Sequence, residues 1–189
     1  MPTGRALEDA RSMLLETGRR ILAAEGTGGL TSRSVTDRAG VAKGVLHRHF
    51  ADFDAYLAAL VTDDAARIRS IEPRSAGSTV DAVTDVVEQV FTPTTRALVA
   101  LVISRDEVRR RVRSPGSYGI PLLMDATAVV MDVLAAGREV GWIRRDADVA
   151  ALALALIGSA HLLYAGELGA FPDHSATHEV VESILVGSL

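Results

Sequence analysis

Lys43, Gly44 and Val45 stand together where a short helix is predicted to begin, and side chains of these types can read the edge of a base pair. A lysine ammonium donates to guanine O6 or N7, and a valine methyl meets the methyl group of thymine. Gly44 lets backbone come close to a duplex. Glycine costs about 1 kcal/mol inside a helix, so its presence there speaks for function. His47, Arg48 and His49 follow and offer donors for phosphate oxygens, the histidines more strongly when protonated. Thr31 and Arg33 offer a hydroxyl and a guanidinium for the same purpose. His47 and His49 are two apart on a helix, so their side chains diverge and cannot chelate one metal.

The elements that must hold these groups are written in Thr31–Phe50, TSRSVTDRAGVAKGVLHRHF. Val35 and Ala39 recur four residues apart and share one face of a helix that begins after Thr31. Gly40 follows, where a helix end needs a residue tolerant of left-handed backbone. Val41 fills the corner, and Leu46 and Phe50 repeat the four-residue spacing on a second short helix. Two short helices about a glycine turn form a helix-turn-helix, whose second helix suits a DNA major groove.

The order of residues is more specific than the bare motif. AGVAKGVLHRHF, followed by an acidic segment bearing Asp52, Asp54 and Leu57, closely resembles the TetR family of one-component transcriptional regulators. Ala39, Gly40, Val41, Lys43, Gly44, Leu46, His49 and Phe50 fit that family's pattern, and the resemblance spans about Leu14–Leu60. It implies an all-helical fold of about nine helices, a homodimer and a small-molecule effector. It places His47 where the family usually has a tyrosine that contacts phosphate, and His49 on the family's own histidine. This sequence also departs from the pattern. Ala42 stands where a serine often caps the helix, Phe53 where a lysine often meets the backbone, Thr36 for a usual alanine and Ser32 for a usual apolar residue. These changes predict weaker or unusually specific DNA binding.

The 189 residues are 48% hydrophobic but only 4% aromatic, so the core must be built from Ala, Val and Leu. That mixture fits packed helices better than a sandwich or barrel. With no cysteine, disulfides and thiolate metal sites are excluded, which agrees with a cytoplasmic location. No basic start leads into an apolar run, so no secretory signal is expected. Net charge is −4, yet residues 1–70 are close to neutral and residues 71–189 carry the acidic excess. DNA affinity must then come from a few placed cations rather than from a basic field.

Periodicity lays out the helices. Leu7, Ala10, Leu14, Thr17, Ile21 and Ala24 predict an amphipathic first helix that stops at Gly26–Gly29. Asp52 caps a fourth helix running to about Ile71. Pro73–Gly77 breaks the chain, dividing a helix-turn-helix domain, residues 1–72, from an effector-binding and dimerisation domain, residues 78–189. Further helices are expected over Ser78–Phe91, about Thr95–Val112 with a stop at Pro115–Gly116, and from Pro121 to near Gly141. Another begins at Asp146 and is broken at Gly169–Pro172, and a last one covers about Ala176–Val186. Val149–Gly166 lacks Lys, Arg, Asp and Glu. It reads as a helix buried all round in a core or a subunit interface rather than as a membrane span.

No phosphate loop, serine elbow, HExxH or paired-carboxylate motif appears, so no catalysis and no cofactor are expected. The arginine-rich stretch Arg105–Arg113 reads as the charged end of an amphipathic helix. His174 and His178 have the spacing of a zinc pair but stand alone. For a largely apolar effector, Met124, Met131, Trp142, His161 and Tyr164 are the candidate pocket residues, with His161 and Tyr164 as polar anchors. The leading reading is a homodimeric repressor of a near-palindromic operator in double-stranded DNA, released by that effector. The family resemblance places the dimer interface on the last two helices. Its rivals are a helical interaction module with weakened DNA binding and an enzyme using the C-terminal pocket.

Overall fold

The computed structural model describes residues 4–74, 77–113, 118–166 and 171–189, with side chains from residue 10 onward. Among these residues there are ten α-helices and no strand: α1 Gly4–Glu25, α2 Ser32–Ala39, α3 Lys43–His49, α4 Phe53–Arg69, α5 Thr79–Val90, α6 Pro93–Ser104, α7 Asp106–Val112, α8 Pro121–Glu139, α9 Val149–Tyr164 and α10 His174–Leu185. A single 3-10 turn, Thr27–Gly29, follows α1. The predicted stop at Pro115–Gly116, part of the breaks at Pro73–Gly77 and Gly169–Pro172, and the side chain of Leu7 lie outside the described residues. Among those residues no single helix is long and apolar enough to cross a membrane.

The expected helix over Thr95–Val112 is two helices, because Arg105 adopts extended backbone between them. Arg109 donates to the carbonyl of Ile103 at 2.9 Å, satisfying one of the oxygens that the end of α6 leaves open. Asp106 and Glu107 occupy the first turn of α7, where negative charge favours a helix start. The predicted start of α9 moves as well. Asp148 is its cap, accepting from the amides of Ala150 and Ala151, while Asp146 pairs with Arg144 at 2.8 Å.

Two compact units form, and they interleave along the sequence: residues 1–64 with 93–120, and residues 65–92 with 121–189. The break at Pro73–Gly77 is therefore not where the packing divides. In the first unit α1 packs on α2, α3 and α6. Leu14, Leu15, Ile21 and Leu22 of α1 are buried with Val35, Leu46, Tyr56, Leu57, Leu60, Leu98 and Val102. Tyr56 is fully buried and its hydroxyl donates to the Leu14 carbonyl at 2.9 Å. Burial pushes its phenol pKa well up. Phe53 lies stacked on Tyr56, with ring centroids 5.6 Å apart.

The arginines of α7 close this unit at the start of α4. Arg111 donates to both carboxylate oxygens of Asp52, at 2.8 and 2.9 Å, and to Glu107 at 2.6 Å. Arg105 reaches Asp54 at 2.8 Å. These bonds from Arg111 hold the carboxyls of Asp52 and Glu107 below the usual carboxylate range. The charged stretch is thus an ion-pair clasp within the unit.

In the second unit α5, α8, α9 and α10 pack pairwise into a bundle. Its interior is Val83, Val86, Val87 and Val90 of α5, Leu122, Val130 and Leu134 of α8, Leu156 and Ile157 of α9, and Val181 and Leu185 of α10. Within one chain, neighbours cover only part of α9, so of the two settings expected for Val149–Gly166 the core alone does not account for it. Ala151, Leu154, Ala155, Gly158 and Leu162 form an exposed stripe, with Leu162 at 78% and Leu154 at 58% exposure.

Candidate nucleic-acid interface

The helix-turn-helix is built as its spacing implies. Thr31 caps α2: its side chain accepts from the Ser34 amide, and the Ser34 hydroxyl accepts from the Thr31 amide, a reciprocal capping box. Gly40 ends α2 at φ 67°, ψ 29°, left-handed backbone that glycine adopts without a Cβ penalty. The Val41 amide then donates back to the Thr36 carbonyl at 3.0 Å, fixing the turn. Thr36 is buried, and its hydroxyl donates to the carbonyls of Ser32 and Arg33 at 3.1 Å. A buried threonine in place of alanine is thus fully satisfied.

On α3, Leu46 is buried, while Lys43, Gly44, His47 and Arg48 are exposed. Positions 43, 44, 47 and 48 lie on one helical face, and α3 contains no carboxylate. Lys43, His47 and Arg48 have no ion-pair partner among the described residues. A Cβ built on Gly44 would meet nothing within 4 Å, so nothing inside the protein asks for glycine there. Val45 and His49 are half-buried. The His49 ring lies 6.5 Å from that of Phe50, whose other neighbours include the Arg11 guanidinium at 5.5 Å.

The remaining candidates sit on α2. Arg33 is 91% exposed and lies 3.4 Å from Asp37, a surface pair that holds it weakly. The Thr31 hydroxyl is occupied by its capping bonds. Ala42 occupies the cap position of α3 with no side-chain hydrogen bond to the helix start. The exposed basic side chains of α2 and α3 thus include Arg33, Lys43, His47 and Arg48.

The second unit holds a cavity of about 580 Å³ between the last turn of α4, the first turn of α5 and the second half of α8. Of the five pocket candidates named from sequence, Trp142 lines it and Met124, Met131, His161 and Tyr164 do not. Tyr164 stacks on Phe91 at 5.0 Å and its hydroxyl shares a 3.0 Å hydrogen bond with that of Thr177. His161 lies over the same Phe91 ring at 6.5 Å. These two are held by internal partners. Thr79, absent from the sequence-based candidates, lines the cavity at 3% exposure. His174 and His178 each face a carboxylate of α5, Glu88 at 2.8 Å and Asp81 at 3.4 Å. Among the described residues no cluster of three metal-ligating side chains forms.

Residues 14–60 match the model of the bacterial regulatory proteins, tetR family. No curated protein matches the chain. Among solved structures, the fold is similar to that of a Rhodococcus sp. protein assigned to the TetR family of transcriptional regulators, at 19% identity and TM-score 0.70, covering 96% of this chain and 100% of that one. A TetR transcriptional regulator from Agrobacterium tumefaciens is 22% identical at TM-score 0.67, covering 95% and 94%. The fatty acid degradation regulator FadR from Bacillus halodurans is 14% identical at TM-score 0.68, covering 93% and 94%. At these identities the likenesses establish the fold. Residues 14–60 are thus similar to the bacterial regulatory proteins of the tetR family, and the fold as a whole is similar to that of solved TetR regulators.

Proposed function

We propose that the chain is a cytoplasmic, homodimeric repressor that reads a near-palindromic operator with α3 and is released by a small, largely apolar ligand. The observation that carries the reading is the open face of α3, with three donors free of partners and a glycine that no internal packing requires. Lys43 and Val45, with the backbone at Gly44, read base edges; Arg33, His47, Arg48 and His49 meet phosphates, whereas the Thr31 hydroxyl, bonded to Ser34, serves the cap of α2 instead. One short helix touches too few bases for specific affinity, so two copies act on two half-sites.

The exposed stripe of α9 supports the second copy. Leu154 and Leu162 are large apolar side chains left in solvent, and Gly158 between them leaves space for a close helix crossing. Effector binding favours a dimer conformation whose two α3 helices no longer match successive major grooves.

Binding isotherms on a selected operator and on scrambled duplex test the reading. Lys43→Ala is expected to erode the preference for the operator, whereas Arg33→Ala weakens both duplexes alike and flattens the salt slope by about one unit. Identical behaviour of the two variants overturns the assignment of roles. Absence of salt-dependent binding to any duplex favours instead a helical interaction module. Two observations make that second reading concrete: Phe53 packs on Tyr56 where relatives carry a cation, and Ala42 leaves α3 uncapped.

A further inference from the structure

The Thr79 hydroxyl is the one buried side-chain polar atom without a hydrogen-bond partner among the described residues. Other buried threonines show what it lacks. Thr84 donates to the Val80 carbonyl and Thr127 to the Leu123 carbonyl, each at 2.8 Å, the carbonyl four residues back in its own helix. Thr79 is the first residue of α5, so its own helix has no carbonyl four residues back to offer it. Its Oγ1 faces Gly137 on α8, where a Cβ would come within 2.6 Å of it. Both residues line the cavity of the second unit. A buried hydroxyl packed against a glycine, in a residue of a mainly apolar cavity wall, is a hydrogen-bonding capacity that the protein itself does not satisfy.

The rim supplies a second constraint. Arg69, Glu72 and Asp132 stand at the cavity. The Arg69 guanidinium is engaged by Asp125 at 2.7 Å, whereas Glu72 and Asp132 have no cation beside their carboxylates among the described residues. The opening is therefore negative, and acids are disfavoured there. Trp142, half exposed at the same rim, offers an apolar ring for a ligand to cover.

We infer that this cavity binds an uncharged, mainly apolar molecule whose buried end carries one hydroxyl or carbonyl group bonded to Thr79. The inference deepens the effector-released reading and rests on it only for the consequence at DNA. Ligand binding is tested without DNA.

Trp142 is the only tryptophan in the chain, so its emission reports the cavity directly. The probes are 1-adamantylmethanol and cyclohexylmethanol, with adamantane-1-carboxylate as the charged counterpart; none absorbs where tryptophan does. Both alcohols are expected to shift Trp142 emission saturably below about 1 mM, and the carboxylate to bind at least 10-fold more weakly than 1-adamantylmethanol. Thr79→Val, which keeps the shape of the side chain, lowers alcohol affinity about 5-fold, the order of one neutral hydrogen bond. The same substitution raises the melting temperature of the unliganded protein, because it deletes an unsatisfied group. Thr79→Ser keeps the hydroxyl and holds affinity within about twofold of the parent.

Unchanged alcohol affinity in Thr79→Val, equal binding of the carboxylate, or calorimetric binding that leaves Trp142 emission unmoved each overturns the proposal. So does the absence of a saturable shift with either alcohol. Failure of DNA binding, with the alcohol results intact, overturns the repressor reading and leaves the site standing.

Discussion

Gly18→Ala is expected to destabilise the protein by about 3 kcal/mol, although it places the best helix former inside α1. The new Cβ would stand 2.1 Å from the Tyr56 hydroxyl oxygen and 3.0 Å from Leu60 Cδ1. Tyr56 is fully buried and bonded to the Leu14 carbonyl, so the ring cannot swing into solvent. Moving it costs about 2 kcal/mol in overpacking, and orphaning the phenol costs about 2 more. Helix propensity returns about 1 kcal/mol. Tyr56→Phe alone loses one hydrogen bond, about 1 kcal/mol. The double variant removes the clashing atom along with its bond, so it should cost only about 1 kcal/mol, far less than the two singles together. Urea unfolding of all four proteins at one protomer concentration measures the cycle. A neutral Gly18→Ala, or single effects that simply add, refutes the reasoning that glycine is required there by the tyrosine hydroxyl.

Three further outcomes are expected. Leu162→Asp, on the exposed stripe of α9, should give folded monomers by sedimentation with retained helical circular dichroism, whereas Leu156→Asp, only 1% exposed, should unfold the chain instead. Ala42→Ser should raise stability by about 1 kcal/mol by supplying the side-chain cap that α3 lacks, read as a higher urea midpoint at constant slope. Arg111→Ala should flatten the acid limb of the pH–stability profile. Asp52 and Glu107 are held below the usual carboxylate range, so their contribution is complete at neutral pH. It fades only as the pH falls through their lowered values, below about pH 4.

The helix-turn-helix was legible because its information is local. A glycine and apolar residues at four-residue spacing lie within twenty positions: α2 starts directly after Thr31, and Gly40 and Leu46 each take the expected place. The break between α6 and α7 was not legible, because the signal is a guanidinium at Arg109 folding back to a carbonyl at Ile103. Periodicity, which runs through Val108 and Val112, cannot express that. Sequence also could not tell which side of α9 is inward. With no charged residue on the helix, Leu156 and Leu162 look alike until the neighbours α8 and α10 are in place. Thr79 escaped for a stricter reason. Its distinction is the absence of a partner, and an absence among neighbours distant in sequence leaves no mark on the sequence itself.

The interleaving of the two units has a consequence for biosynthesis. The α1–α4 part of the first unit is complete in the growing chain once Asp64 has been made, yet α6 and α7, residues 93–112, still belong to it. At ~5–20 residues per second, the ribosome takes roughly 2–10 s more to deliver Val112. Through that interval the apolar side of α1 that α6 covers stays unfilled, and Asp52 waits for Arg111. The nascent helix-turn-helix region thus keeps an open apolar side until a segment encoded well downstream of it arrives. For the same reason it cannot be excised by cutting the gene after the helix-turn-helix.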